Sequence, residues 1–584
     1  MNDMIRINDN KQMPLFDSWG HLGPKRRRML EENWPGLFQR EIRPVLPVDE
    51  LAKYFKDDFG RPTKELYTAM GTILLQQVKN LTDEETIEQL AMNLQWHYAL
   101  DIRDESDQAL YICLKSLWNY REAIAANHLE EVIFEAVTAK LAKVFSVDTD
   151  SQRLDSVHIK SNMRRLGRIT IFAKTIQNFL KNLKRKYPGL FALLDEKLTD
   201  KYLDKKALGV FAMVKPKESS KTLADLSSDL YYLIERFRDN KNVADMYSYK
   251  TLERVLKDQC NIVESKDKTE VSVNPPKEVP SDSLQNPSDP DATYSGHKGQ
   301  GYQVQVMETF TDTEDKKVKE KTLNLITHIK VEKASDSDAN ALLPAIESTN
   351  ERDLAPKKIL ADALYGSDDN VEAAKSLDVE VTSPVMGTEK HDAVGLSDFE
   401  FNAKGHVTAC LMGHRPLVSK KKKNRFTQGF CKKACTMCDL LDLCPVKPGK
   451  KHCYLRYQEK AMRLARRRVH EQTEEFKDRY RWRAGVEATM SEFDRRTGVK
   501  HLRVRGVKAV CFAVFLKAAG LNIFRAAAVQ KARIKCDPGS NTGQFFRNIA
   551  IWVAQKLFSP FKGRHGFISQ PEARHPAHLA GMMV

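Results

Sequence analysis

Tyr480, Arg483 and Glu487 stand three and four residues apart in YRWRAGVEATMSEFDRR, residues 480–496. If the stretch is helical, at about 100° per residue, these three share a face with Ser491 and Asp494. Trp482, Val486, Met490 and Phe493 share another, turned away by about 120°. The apolar stripe is expected to pack. The polar face then becomes a site, with Glu487 at the edge of the buried seam and Arg483 one turn before it. That combination suits phosphate chemistry. A carboxylate can hold a hard divalent cation, and a guanidinium offers a planar fork to phosphate oxygens.

A lone Glu on a charged helix is ordinarily a solvated surface residue, so the chemistry needs partner acids. Two aspartates qualify. Asp155 lies within RLDSVHIK (153–160), and Asp362 lies toward the carboxyl end of KKILADALY (357–365), where open sheets place their ligands. Asp148 and Asp150, in the turn before the first of these stretches, compete for the role of first acid. Three carboxylates suit two Mg²⁺ (or Mn²⁺) ions about 3.5–4 Å apart, a pair that serves in-line phosphoryl displacement.

Six of the ten cysteines lie between 410 and 453. CKKACTMCDLLDLC (431–444) supplies Cys431, Cys435, Cys438 and Cys444, with Cys410 upstream and Cys453 downstream. In a reducing compartment such a cluster suits a structural Zn²⁺, with Cys431, Cys435, Cys438 and Cys444 as the expected ligands; which four ligate is open, and His414 or His452 could substitute for one. Cys431, Cys435 and Cys438 also fit the C-x3-C-x2-C spacing of [4Fe–4S] radical enzymes. Those motifs follow an early barrel strand and carry an aromatic where Met437 stands, which sets that reading behind zinc. Unmetallated thiols are the third reading.

The elements that must position these groups can be traced along the chain. Residues 1–120 read as helical. Thr82 and Glu85 form a capping-box pattern, 63–78 is amphipathic, and Trp96 and Tyr98 are expected in a core. Strand 153–160 follows the turn DTDSQ, and a helical stretch covers 165–260. A Pro- and Ser-rich run at 265–292 reads as a linker. Beyond it the period switches to two. YQVQVMETF (302–310) aligns Tyr302, Val304 and Val306, and TLNLITHIKV (322–331) aligns Leu323, Leu325, Thr327 and Ile329. TDTEDKK reads as a hairpin connection between them. A helix (337–348), the strand 357–365, a helix from Ser367, the strand 378–385 and a second insertion, 390–458, lead to the Glu487 helix. Without the insertions the order is strand, strand, strand, helix, strand, helix, strand, helix. That is a mixed sheet covered by helices, in the order of RNase H-like catalytic folds.

Bulk properties agree with a polyanionic partner. The 584 residues suffice for several domains, 41% are apolar, and Lys+Arg exceed Asp+Glu by 94 to 78 for a net charge of +16. The opening residues lack a long apolar run, so a cytoplasmic location is expected. AVCFAVFLKAAGLNIF (509–524) is broken by Lys517 and Asn522, and reads as a buried helix rather than a membrane span.

With these residues in view, the sequence resembles DDE-class transposases of bacterial insertion sequences, in the branch whose catalytic Glu lies in Y-x2-R-x3-E-x6-K. Tyr480, Arg483 and Glu487 match that pattern, while Asp494 stands where its final Lys falls, followed by Arg495 and Arg496. RLDSVHIKSNMRR resembles the family's first-Asp strand. ILADALYGSDDN resembles its second-Asp strand and turn, with Leu364 where a Gly is usual. The likeness runs over nearly the whole chain, including the helical amino-terminal region and the cysteine-bearing insert.

The resemblance implies an α/β protein. An RNase H-like mixed sheet would be interrupted by a helical and a cysteine-rich insertion and preceded by an all-α domain. The expected organisation is a helical DNA-binding domain, 1–120; a lead-in helix and first catalytic strand, 121–164; a helical insertion, 165–264; a flexible linker, 265–292; core strands and helices, 293–389; a cysteine-rich insertion, 390–458; the Glu helix and a closing helix, 459–530; and a tail, 531–584. Asp155, Asp362 and Glu487 would hold the Mg²⁺ ions. Tyr480 and Arg483 would position DNA near the scissile phosphate. Arg164, Arg165, Arg467 and Arg495, in or beside basic runs, would contact flanking DNA. The implied partner is double-stranded DNA, both element terminal repeats and target. It would be engaged by a homodimer or higher synaptic oligomer, with no membrane, in the nucleoid-associated cytoplasm of a bacterium. A non-catalytic DNA-binding protein derived from such an ancestor is the rival.

Overall fold

Strand β1 (Ser151–Lys160) is the central strand of a six-stranded sheet in the computed structural model, which describes residues 4–8, 17–56, 58, 60–265, 268–387 and 392–536. Its neighbours are β2 (Thr293–Ser295), β3 (Gly299–Thr309), β4 (Ile326–Lys333), β5 (Lys358–Leu360) and β6 (Glu380–Thr382). β3 runs antiparallel to β1, and both β2 and β4 run antiparallel to β3. β5 is parallel to β1, and β6 is parallel to β5. The protein is therefore mixed α/β. The chain divides into two compact units, Met1–Gln530 and Lys531–Val584. Residues 537–584 of the expected tail lie outside the described residues.

The two-residue period sorts the sheet's faces. Across β1 and β3, Arg153 opposes Glu308, Asp155 opposes Val306, Val157 opposes Val304 and Ile159 opposes Tyr302. The apolar members of this face join a large core with helix α1 (Leu66–Lys79). On the opposite face Leu154 and Met307 pack with α2 (Leu342–Asn350) and α3 (Asp368–Lys375). Two later helices, α4 (Gly485–Thr497) and α5 (Val507–Cys536), return to the first face through Val486, Met490, Phe493 and a row of buried residues from Val510 to Val529.

Several local expectations meet their physical reasons here. Thr82 and Glu85 form both halves of the capping box, and Trp96 and Tyr98 are buried in apolar surroundings. β5 is shorter than its apolar run because the chain turns at Asp362, whose Oδ1 accepts the Leu364 amide at 2.9 Å. A short helix, Lys316–Lys321, occupies the connection read as a plain hairpin, and β4 starts at Ile326. Composition marks 265–292 as a linker; in the structure this stretch carries a strand, Lys268–Val273, and buries Leu284, Asn286 and Asp289. Asp289 accepts the Tyr302 hydroxyl, and the Gly506 amide at 3.0 Å, which anchors the connection to the sheet.

By length and composition α5 could cross a membrane, yet 72% of its apolar window is buried in the protein. Its two polar interruptions are structural. The Lys517 ammonium donates to Gln77 O, Asn80 Oδ1 and Thr497 O, joining the carboxyl ends of α1 and α4. Asn522 bonds both the amide and the carbonyl of Ile326, at the start of β4.

One buried polar network ties α4 to the sheet. Glu308, fully buried, accepts from Arg153 Nε at 2.7 Å, Thr489 Oγ1 at 2.9 Å and Arg525 Nη1 at 3.0 Å. Arg525 also pairs with Glu492 at 2.8 Å, and Arg153 Nη1 donates to Trp482 O at 2.9 Å. Removing the shared carboxylate would leave two buried guanidinium groups under-compensated, so Glu308→Ala is expected to cost about 3–5 kcal/mol. Urea denaturation of the variant checks this; a loss below about 1 kcal/mol, the scale of an exposed pair, would show the network to be dispensable.

Candidate functional site

The segment 480–497 is not one continuous helix. A helix Glu474–Tyr480 passes through a tight 3₁₀ turn, Arg481–Ala484, into α4. The break follows from packing, because Arg153 crosses beneath the junction. A Cβ at position 485 would lie 2.1 Å from Arg153 Nη1, so any larger residue would force that guanidinium to move. Val486, Met490 and Phe493 are buried as the stripe predicts, whereas Trp482, in the turn, is half-buried.

The turn delivers Arg483 into the middle of the three acids. Its Nη2 lies 2.9 Å from Asp155 Oδ2 and 3.9 Å from Asp362 Oδ2, and its Nη1 lies 3.8 Å from Glu487 Oε1. Asp155, Asp362 and Glu487, separated by hundreds of residues or by a whole insertion, thus surround one guanidinium. They differ in exposure: the Asp155 side chain is 17% exposed, Asp362 30% and Glu487 75%. Burial, with the nearby Asp362 charge adding to it, raises the Asp155 carboxyl above its ordinary range; Arg483, the Ser156 amide and Lys298 oppose that rise. Burial likewise raises the hydroxyl of Tyr480, whose ring stacks on Phe476 at 5.5 Å.

The Asp362 turn is held from several sides. Ser383 Oγ donates to Asp362 O at 2.7 Å, and the Tyr365 hydroxyl donates to Gln305 Oε1 at 2.6 Å. Arg467 donates to Gly366 O at 2.9 Å and to Ser383 O at 3.0 Å. Arg467 is expected at flanking DNA; here it is engaged with backbone carbonyls of the second-Asp loop. Arg164, Arg165 and Arg495 are exposed. Asp494 accepts the Lys500 amide at 3.0 Å and so closes the end of α4. Asp150, the competitor for first acid, pairs with Lys357 at 2.8 Å. No linear spacing pointed to Tyr365 or Ser383, or to this role for Arg467, since their partners lie on other elements.

Three carboxylates against one guanidinium leave a net negative, all-oxygen donor set, whose chemistry fits a hard divalent cation. Arg483 Nε is buried without a hydrogen-bond partner, so the guanidinium is not fully satisfied where it sits. Among the described residues, no group of three or more His, Cys, Asp or Glu is arranged to hold a metal ion. The acids close on Arg483 instead. Of the four expected zinc ligands, Cys435, Cys438 and Cys444 are half-buried and Cys431 is exposed.

Residues 409–527 match a family described as "Transposase DDE domain", and residues 28–122 match one described as "Transposase domain (DUF772)". Both are transposase domains. The first spans Tyr480, Arg483, Glu487 and the cysteines from 410 to 453, and the second lies in the amino-terminal helices. Neither covers half of the chain. No curated protein and no solved structure matches it. The two matches support an insertion-sequence transposase of the DDE class.

A carboxyl that binds its proton more tightly in the fold than in the unfolded chain weakens the fold as pH rises past its unfolded value. Asp155 is such a group. The metal-free Asp155→Asn variant is therefore expected to melt above wild type at about pH 7.5, with the gap closing toward about pH 4, near the unfolded carboxylate range. Thermal melts across that range check the sign. A variant melting below wild type at neutral pH would mean that the Arg483 pair outweighs the cost of burial.

Proposed function

We propose that this protein is an insertion-sequence transposase that cuts element ends and joins the freed 3′-OH to target DNA by two-metal phosphoryl transfer on a DDE triad. The observation that carries the reading is the convergence of Asp155, Asp362 and Glu487 on the Arg483 guanidinium, at 2.9, 3.9 and 3.8 Å. The strand order β4-β3-β1-β5-β6, antiparallel in its first half and parallel in its second, supports an RNase H-like core. In that arrangement Asp155 lies on β1, Asp362 just past β5 and Glu487 on α4.

Asp155, Asp362 and Glu487 are the residues to hold Mg²⁺ or Mn²⁺. Bound in pairs, such ions supply a nucleophile at neutral pH and neutralise charge on the leaving oxygen. The rest falls to the chain. Arg483 keeps the three acids from repelling one another before substrate arrives, and its fork is suited to the scissile phosphate afterwards. Tyr480 lines the same approach. Arg467, through Gly366 and Ser383, holds the second-Asp loop in place and acts as a positioning residue. Exposed Arg164, Arg165 and Arg495 are candidates for flanking DNA, with the charge of +16 behind them. Two ends must be brought together, so the active form is an oligomer, working in the cytoplasm at the nucleoid.

The test uses purified protein, Mg²⁺ and duplex DNA carrying the flanking terminal repeats. Strand breaks are expected at the element boundary. Asp155→Asn, Asp362→Asn and Glu487→Gln should each abolish them while band shifts show DNA still bound. An intact boundary under conditions where wild-type protein is bound would favour the non-catalytic DNA-binding reading.

A further inference from the structure

The cysteine-rich insertion is built on an antiparallel sheet, Val418–Lys422, Arg425–Cys431, His452–Gln458 and Lys447–Pro448, with a small core of Phe399, Phe426, Phe430, Leu455 and Tyr457. Between its second and last long strands the chain makes an excursion that lacks such support. Its regular pieces are one helical turn, Lys432–Thr436, a 3₁₀ turn, Leu441–Leu443, and the two-residue strand. Residues 432–445 bury no side chain, and Met437 stands 85% exposed. A segment that small with no core of its own is ordinarily stapled by a disulfide or a metal. Among the described residues every cysteine is unpaired.

The excursion turns its three thiols partly inward, along with Ala434, Leu440 and Leu441. Cys435, Cys438 and Cys444 are half-buried, as is Cys410 in the turn after the strand Val407–Ala409. Cys410, Cys435 and Cys444 pack against the apolar core that contains buried Cys453. Cys435 has Cys453, Cys410 and Cys444 as neighbours. Cys444 in turn faces Cys410, Cys438 and Cys453. Successive tight turns fold the three loop cysteines back on one another: Cys438 N donates to Cys435 O at 3.2 Å, Leu441 N to Cys438 O at 3.0 Å, and Cys444 N to Leu441 O at 3.3 Å. Cys431 is different. It is exposed at its strand end, opposite His452 in register, and does not pack with Cys410, Cys435 and Cys444 against that core.

We infer that Cys410, Cys435, Cys438 and Cys444 are the four ligands of one structural zinc ion, with Cys453 packed behind them and Cys431 outside the set. Cys453 is left out because it sits fully buried on a strand in apolar surroundings, while Cys435 and Cys438 have the C-x2-C spacing that wraps a metal from one loop. A divalent, thiophilic cation would take the four as thiolates, each ligand releasing its proton on binding. The thiols are gathered in this structure but not arranged as a metal shell, so closing on zinc and rigidifying 432–451 are one event. The inference does not rest on the phosphoryl-transfer reading.

The full chain, purified without added metal, is tested by elemental analysis and by Co²⁺ substitution. About one zinc per chain is expected. It should be lost in C410S, C435S, C438S and C444S and kept in C431S and C453S. Co²⁺ should give intense thiolate charge-transfer and tetrahedral d–d bands. A readout on wild-type protein guards against serine variants that fail to fold: chelation should open 432–451 to protease, and zinc should close it again. Zinc kept in C410S but lost in C431S, iron with acid-labile sulfide, or no metal and no Co²⁺ spectrum would each overturn the assignment.

Discussion

A carboxylate at zero exposure between two arginines, Glu308, is the constraint on which the site depends. It belongs to β3, its first arginine to β1 directly across the register, and its second to α5. Thr489 on α4 completes the set. Such a network holds only if all members are in place together, since any one left alone would be an uncompensated buried charge. That requirement fixes α4 against β1, and so fixes where Glu487 and Arg483 stand relative to Asp155.

From this anchor the geometry of the acids follows. Arg153 reaches past Glu308 to the Trp482 carbonyl, where its guanidinium lies close under Gly485, and the helix changes type just before that crossing. With the break, Arg483 lies in the seam and Glu487 remains exposed beside it. Asp362 comes from the other direction, off the end of a three-residue strand, and is held by groups that have no catalytic chemistry of their own: Ser383, Tyr365 and Arg467. The site is thus two rigid halves, meeting across one guanidinium.

The cysteine insertion obeys the opposite economy. Its sheet has a core, but residues 432–445 of its excursion bury no side chain, and the three thiols there are all half-buried. A site of this kind shapes a surface without adding to the main core, which suits an element grafted between the second-Asp half and the Glu helix.

Local patterns were legible without the fold. The three-and-four spacing of Tyr480, Arg483 and Glu487, the Thr82/Glu85 cap, and the period of two in β1 and β3 all report interactions between residues a few positions apart, which the chain's own geometry dictates. The helical turn and the strand pleat are short-range facts. What tertiary structure alone decided are partnerships between distant positions: Arg153 with Glu308, Lys517 with the ends of two helices, Arg467 with the second-Asp loop, and Cys410 rather than Cys431 beside Cys444. Each depends on which strands lie adjacent and which carbonyls lack a donor once buried. Those quantities exist only when the sheet has formed, because desolvation, unlike periodicity, is a property of the packed whole.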